Sequence, residues 1–184
     1  ISKQLYIQSK SFDEVIELAK NNKEKLASLP SIQPLSNKDL KRMVSGWGYR
    51  THPTLKIKKF HYGLDFTAST GTPIYATGNG TVEKVKYTRF GYGKHIIINH
   101  GYEYKTLYAH LSKYNVKKGE KVIRGQVIGF VGSTGRSVAP HLHYEILKNG
   151  KKINPAPYCY NNDLSIEEYD KMIKLSLKGN QSFD

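Results

Sequence analysis

Two histidines two residues apart, His141 and His143, sit in the stretch Ala139-Pro140-His141-Leu142-His143-Tyr144-Glu145-Ile146, which reads as a strand. Side chains at i and i+2 of a strand leave the same face, so both imidazoles enter one space. Neutral imidazole is a common metal ligand and, near neutral pH, a general acid or base. Upstream, Phe60-His61-Tyr62-Gly63-Leu64-Asp65-Phe66 places His61 four residues before Asp65, a spacing that keeps both on one face of a helix or a strand. Gly63 and its aromatic neighbours favour the extended form. Asp65 is a lone carboxylate in an aromatic and aliphatic run, and burying it requires a partner or a metal. Two histidines with one carboxylate make the ligand set of a catalytic zinc site whose fourth position is open to water. Taken one at a time, each motif reads more simply as a surface histidine or an aspartate in a turn.

A third stretch, Thr106-Leu107-Tyr108-Ala109-His110-Leu111-Ser112, changes that balance. Together His61…Asp65, Tyr108-Ala109-His110 and His141-Leu142-His143 resemble the lysostaphin/LytM-type zinc endopeptidases of peptidoglycan. The surroundings match as well: Gly71-Thr72-Pro73-Ile74-Tyr75-Ala76, Gly80-Thr81-Val82, Gly125-Gln126-Val127-Ile128-Gly129 and Gly132-Ser133-Thr134-Gly135-Arg136-Ser137. The resemblance covers about residues 44 to 157, with the motifs in the family's order. It implies Zn2+ held by His61, Asp65 and His143, with His110 and His141 as the unligated catalytic pair. The loop Gly46-Trp47-Gly48-Tyr49-Arg50-Thr51-His52-Pro53 resembles that of endopeptidases cutting D-alanyl–diaminopimelate cross-links in double-membraned bacteria. The alternatives are a glycyl-glycine bridge endopeptidase and a non-catalytic LytM-type module regulating a wall amidase, although such modules typically lack ligand or catalytic residues. In the same loop Arg50 either meets a substrate carboxylate as a bidentate fork or pairs internally. Tyr49 and Tyr108 are further candidates to donate to substrate.

These residues need a scaffold, and the sequence between Thr72 and Ile128 offers short β-segments separated by turns. Gly78-Asn79-Gly80, Gly101-Tyr102-Glu103 and Lys117-Lys118-Gly119-Glu120 are the turns, and Lys94–His100 and Tyr104–His110 are strands. That pattern predicts a mainly β, antiparallel domain, which the resemblance turns into a two-sheet barrel-like sandwich with a substrate groove. Helices flank it. Ser11 with Glu14 has capping-box spacing and opens a helix over about 11–28, ended by Pro30 and Pro34. Ser165 with Glu168 opens another, running to about Leu177 before Gly179. The division expected is a helical segment and linker at 1–40, the peptidase domain at 41–160 and a closing helix at 161–184. His95 and His100 lack a placed Asp or Cys and read as structural, while Ser133 lacks the Gly-x-Ser-x-Gly setting of a nucleophile.

Composition limits the partners. The single cysteine, Cys159, excludes an internal disulfide and a thiolate zinc cluster. With Lys plus Arg 29 against Asp plus Glu 15, the net charge of +14 attracts anionic polymers. The lysines are dispersed and no nucleic-acid-binding module is recognisable, so the expected partner is anionic peptidoglycan and not nucleic acid. No apolar run is long enough to span a membrane. The chain begins at Ile1 without Met, as a trimmed fragment would. A missing N-terminal portion would then carry the signal, the membrane anchor or a contact to a regulatory partner. The expected location is the bacterial cell envelope, periplasmic or extracellular.

Overall fold

In the computed structural model, which describes residues 21–40, 42–51 and 57–159, the turn-punctuated sequence forms short strands in an antiparallel arrangement. In chain order these are β1 (Arg42–Ser45), β2 (Gly48–Thr51), β3 (Lys58–His61), β4 (Leu64–Thr67), β5 (Pro73–Tyr75) and β6 (Gly80–Tyr87). They continue as β7 (Lys94–Gly101), β8 (Tyr104–Tyr114), β9 (Lys121–Val122), β10 (Val127–Val131), β11 (His141–Lys148) and β12 (Lys151–Ile153). The main sheet runs β1-β4-β11-β8-β7-β6-β9, with β10 pairing β5 and β8 and β12 pairing β11, while β2 and β3 form a separate two-stranded sheet. The fold is therefore mainly β and antiparallel, as the turn spacing predicts. Among the described residues the main sheet ends at β1 and β9 and does not close into a barrel.

Strands β4, β11 and β8 lie side by side and set the site. Leu64, Phe66, Leu142, Tyr144 and Ile146 are all buried and point to one face, where they join Ile74, Ile96, Ile98 and Ile128 in the apolar core. The alternating residues Asp65, His141, His143 and Glu145 occupy the other face and are also buried. Cross-strand pairing puts His143 opposite Asp65 on one side and opposite Ala109 on the other. A period of two thus divides each strand into a packing half and a chemical half.

Strand β8 breaks that rule once. Tyr108 pairs with Tyr144 and faces the core, so strict alternation would send His110 the same way. Pairing with β7 instead slips between Lys94↔Leu111 and Ile96↔Tyr108, leaving one extra residue on β8. His110 takes up this bulge with φ +63, and its N–H donates to the Tyr92 carbonyl at 2.9 Å. The alternation resumes in opposite phase, so Leu111 returns to the core. Bulges re-aim side chains in this way beside functional sites.

Residues 21–28 are helical, and the chain beyond them lies against the sheet. Pro34 O accepts from Tyr75 N, Thr77 O accepts from Ser31 N, and Ala27 O accepts from Asn79 N, at 2.8–3.0 Å. Leu35 is 2% exposed within the core. The remainder of the helix expected over 11–28, the helix expected after Ser165, and His52 with Pro53 lie outside the described residues. Among the described residues no helix is long and apolar enough to cross a membrane.

Candidate active site

His61 ends β3 and Asp65 lies in β4, and the turn between them passes so close to β11 that only glycine fits. A Cβ on Gly63 would stand 2.5 Å from Tyr144 O and 2.8 Å from His143 Cε1. This close approach brings three donor atoms together. His61 Nε2 is 3.0 Å from His143 Nδ1 and 3.2 Å from Asp65 Oδ1, and His143 Nδ1 is 2.9 Å from Asp65 Oδ1. Ligand atoms at two corners of a tetrahedral zinc site stand about 3.3 Å apart, from bond lengths of ~2.0–2.1 Å. The buried trio fits a metal in both donor chemistry and spacing.

The far nitrogen of each histidine is already engaged. His61 Nδ1–H donates to Gly46 O at 2.8 Å, so its Nε2 is the nitrogen that meets the trio. His143 donates from Nε2 to Glu145 Oε1 at 3.0 Å, so its Nδ1 is the nitrogen that meets the trio. Such outer partners fix the tautomer and the ring angle of a metal-binding histidine. Burial raises the Asp65 carboxyl, but His61 and His143 outweigh it and hold the group well below the ordinary carboxylate range.

His110 and His141 stand beside the trio with ring centres 4.7 Å apart. His110 Nδ1–H donates to Thr134 O at 2.8 Å, and His141 Nδ1–H donates to Ala139 O at 2.8 Å. His141 Nε2 is 4.0 Å from Asp65 Oδ1. All five residues singled out by the sequence motifs therefore meet on one face of the sheet.

The substrate-side expectations fare differently. Tyr108 is fully buried, and its hydroxyl is bonded to Thr77 and Thr106 on the core side of β8. The bulge that turns His110 outward separates the two side chains, with Tyr108 packed on the core side. Arg50 lines the pocket, but only 7% of it is exposed, and its guanidinium donates to Ser45 Oγ and, at 2.9 Å, to Asp65 Oδ2. Of the two readings of Arg50, the structure has the internal pair. Tyr49 is 72% exposed and packs edge-on against Phe60.

Sequence reasoning assigned no role to Glu145, although it shares the strand face of His143 by the same i, i+2 rule. Its Oε1 accepts from His143 Nε2, from Tyr92 OH at 2.7 Å and from Lys152 Nζ at 2.9 Å. Burial pushes its carboxyl up, but His143 and Lys152 bring it below its ordinary value. Elsewhere, His95 bonds to Gly93 O, and His100 sits between Asn79 O and the Thr106 hydroxyl, away from the trio. Cys159 is buried, and burial pushes its thiol up to about 12, which suits packing and not nucleophilic attack.

A pocket of about 360 Å³ opens over the histidines, with Phe60, Tyr62 and Tyr92 among its walls. The model of peptidase family M23 matches residues 59–155. The chain belongs to this family. Similar members include the DD-carboxypeptidase/endopeptidase Mpg of Neisseria meningitidis, 47% identical over 114 residues, 62% of this chain and 26% of that protein. The glycyl-glycine endopeptidase ALE-1 of Staphylococcus capitis is 40% identical over 112 residues, 60% of this chain and 31% of its own. A zinc-containing peptidase of Vibrio cholerae superposes with a TM-score of 0.63 at 37% identity, covering 68% of this chain and 39% of that one. The chain spans about a quarter of the length of the curated relatives it matches first.

Proposed function

We propose that this chain is the catalytic part of a zinc-dependent endopeptidase that cuts peptide cross-links in bacterial peptidoglycan. The observation that carries the reading is the meeting of His61, Asp65 and His143 at donor spacings of 2.9–3.2 Å, with two anchored histidines alongside. His61 Nε2, Asp65 Oδ1 and His143 Nδ1 would hold the metal. Bound zinc supplies Lewis acidity, which lowers the pKa of water and polarises a peptide carbonyl. Each of His110 and His141 has Nδ1–H tied to a carbonyl, which assigns proton transfer to its Nε2. One takes the proton of the attacking water, and one returns a proton to the departing amine. The histidinium so formed also faces the developing oxyanion.

The favoured bond is D-alanyl–diaminopimelate, in keeping with the Mpg relative and with the Tyr49-Arg50 loop. The ALE-1 relative keeps the glycyl-glycine bridge as the second reading. The open pocket and the aromatic edge extended by Tyr49 would form the substrate groove of a sandwich fold. Such an enzyme works in the cell envelope or outside the cell.

Digestion of purified peptidoglycan by the zinc-loaded protein, followed by mass spectrometry, tests the proposal. Cross-linked dimers should become monomers, with sugars and stem–glycan bonds intact. Asp65→Ala and His143→Ala should lose zinc and activity together. His110→Ala and His141→Ala should keep zinc and turn over at least ~100-fold more slowly, the lower range for acid–base catalysis. Cutting of pentaglycine alone would move the assignment to the glycine bridge. Zinc binding with no hydrolysis of either substrate would leave a non-catalytic module.

A further inference from the structure

Four cationic side chains line the pocket, and they divide into two kinds. Arg50 is committed to Asp65 and Ser45. Lys152 donates to Glu145 and Tyr92 and lies over the rings of Tyr62 and Tyr92. The other two, Lys59 and Arg136, are exposed, and among the described residues neither side chain has a hydrogen bond, an ion pair or a ring contact.

Arg136 does not ride on a loose loop. A Cβ on Gly135, whose φ is +75, would stand 2.3 Å from Gly93 N and 2.4 Å from Gly91 O, so the 91–93 and 134–136 segments are pressed backbone to backbone. Arg136 N donates to Gly91 O at 2.8 Å. Thr134 Oγ1 accepts from Lys94 N and donates to Leu111 O, while Thr134 O holds His110. The ledge that orients a catalytic histidine therefore also presents an unpaired guanidinium at the rim of the same pocket. Lys59, on β3 two residues before His61, presents an ammonium from another wall.

We propose that Lys59 and Arg136 form an anion subsite that reads a free carboxylate of the peptide next to the scissile bond. This rests on the endopeptidase reading above and sharpens it. In a D-alanyl–diaminopimelate cross-link, the carbon bonded to the scissile nitrogen also bears a carboxylate. A glycine bridge has no charge there. The carboxylate enters at the rim while the amide lies over the histidines, and a guanidinium matches its two oxygens as a fork. Arg50, the arginine that sequence alone offers for this task, is unavailable because Asp65 already holds it.

The test uses two cross-linked stem-peptide dimers, identical except that the diaminopimelate carboxylate beside the scissile bond is free in one and amidated in the other. Binding is measured by fluorescence anisotropy on zinc-loaded His141→Ala, so that the dimers stay intact. The free-carboxylate dimer should bind about tenfold more tightly, as expected for two partly exposed charge contacts. Arg136→Gln and Lys59→Gln should each remove about three- to fivefold of that ratio, with zinc content and circular dichroism as controls for folding. The affinity ratio should also shrink as salt rises. Equal binding of the two dimers, no binding of either, or a ratio that survives in the double variant would overturn the subsite. Hydrolysis by the unsubstituted protein is scored in parallel. A binding ratio without cleavage would sink the endopeptidase reading and keep the subsite, whereas equal cleavage and binding of both dimers would do the reverse.

Discussion

Glu145 holds the metal-side geometry through His143. Three donors converge on its Oε1, and among the described residues its buried Oε2 has no hydrogen-bond partner, so there the group is fixed by one oxygen. Glu145→Ala would free the His143 ring to turn and leave Lys152 without its carboxylate. Zinc affinity is expected to fall about 10- to 100-fold, the usual cost of losing an outer partner of a metal ligand. Glu145→Gln keeps an acceptor oxygen and should lose less. Competition with a chromogenic chelator measures both, and an unchanged affinity in Glu145→Ala would reduce Glu145 to a partner of Lys152. Arg50 acts at the same scale from the other side. Removing one member of a buried ion pair strands the other charge at a cost of about 3–5 kcal/mol. Arg50→Ala should therefore destabilise the zinc-free protein by about that much, read from denaturant midpoints.

Two turns hold the strands in register for this chemistry, and each serves a different part of it. Gly63 lets β4 approach β11, and a methyl group there would press on His143 itself. Gly135 lets the 134–136 ledge close on Gly93, and a methyl group there would displace the Thr134 carbonyl from His110. Gly63→Ala should weaken zinc binding and turnover together. Gly135→Ala, strained further by its positive φ, should retain zinc while turnover falls. Zinc content by atomic absorption beside single-turnover rates separates the two, and zinc loss in Gly135→Ala would contradict the division. Much of this was legible in the sequence. The i, i+2 pair at His141 and His143 and the i, i+4 pair at His61 and Asp65 need only regular strand geometry, and the resemblance supplied His110. The extra residue in β8 left no local signal, because Tyr108-Ala109-His110 alternates like any strand. Tyr108, a candidate to donate to substrate, lies instead on the face opposite His110. The Arg50–Asp65 pair depends on contact between residues of different sheets, which local spacing does not report.

The whole molecule also depends on the segment before β1. Residues 27–35 bond to Tyr75, Thr77, Asn79 and Arg124, and Leu35 fills the core, although the family match begins at residue 59. Full burial of a leucine is worth about 1.5–3 kcal/mol. A chain starting at residue 41 should therefore lose at least about 1.5 kcal/mol of stability and unfold at lower denaturant, and equal midpoints would show the segment to be dispensable. A second effect on global stability comes from His100. Burial is the main cause that lowers its pKa from 6.5 to about 4, with Arg124 adding to it against the opposing bond to Asn79 O. Between those values the unfolded chain binds a proton that the folded chain excludes, so stability falls as pH drops from about 6.5 toward 4 and is fully present above that window. At pH 5 the loss amounts to about 2 kcal/mol relative to pH 7.5. His100→Gln removes the titration but keeps a polar side chain, so it should be the less stable protein at pH 7.5. Its deficit should then shrink by about 2 kcal/mol at pH 5. Everything else the two chains share cancels in the comparison, so the difference between their urea midpoints isolates His100. A deficit that stays constant with pH would show that His100 takes up its proton as readily in the fold as in the unfolded chain and that its burial does not exclude the charge.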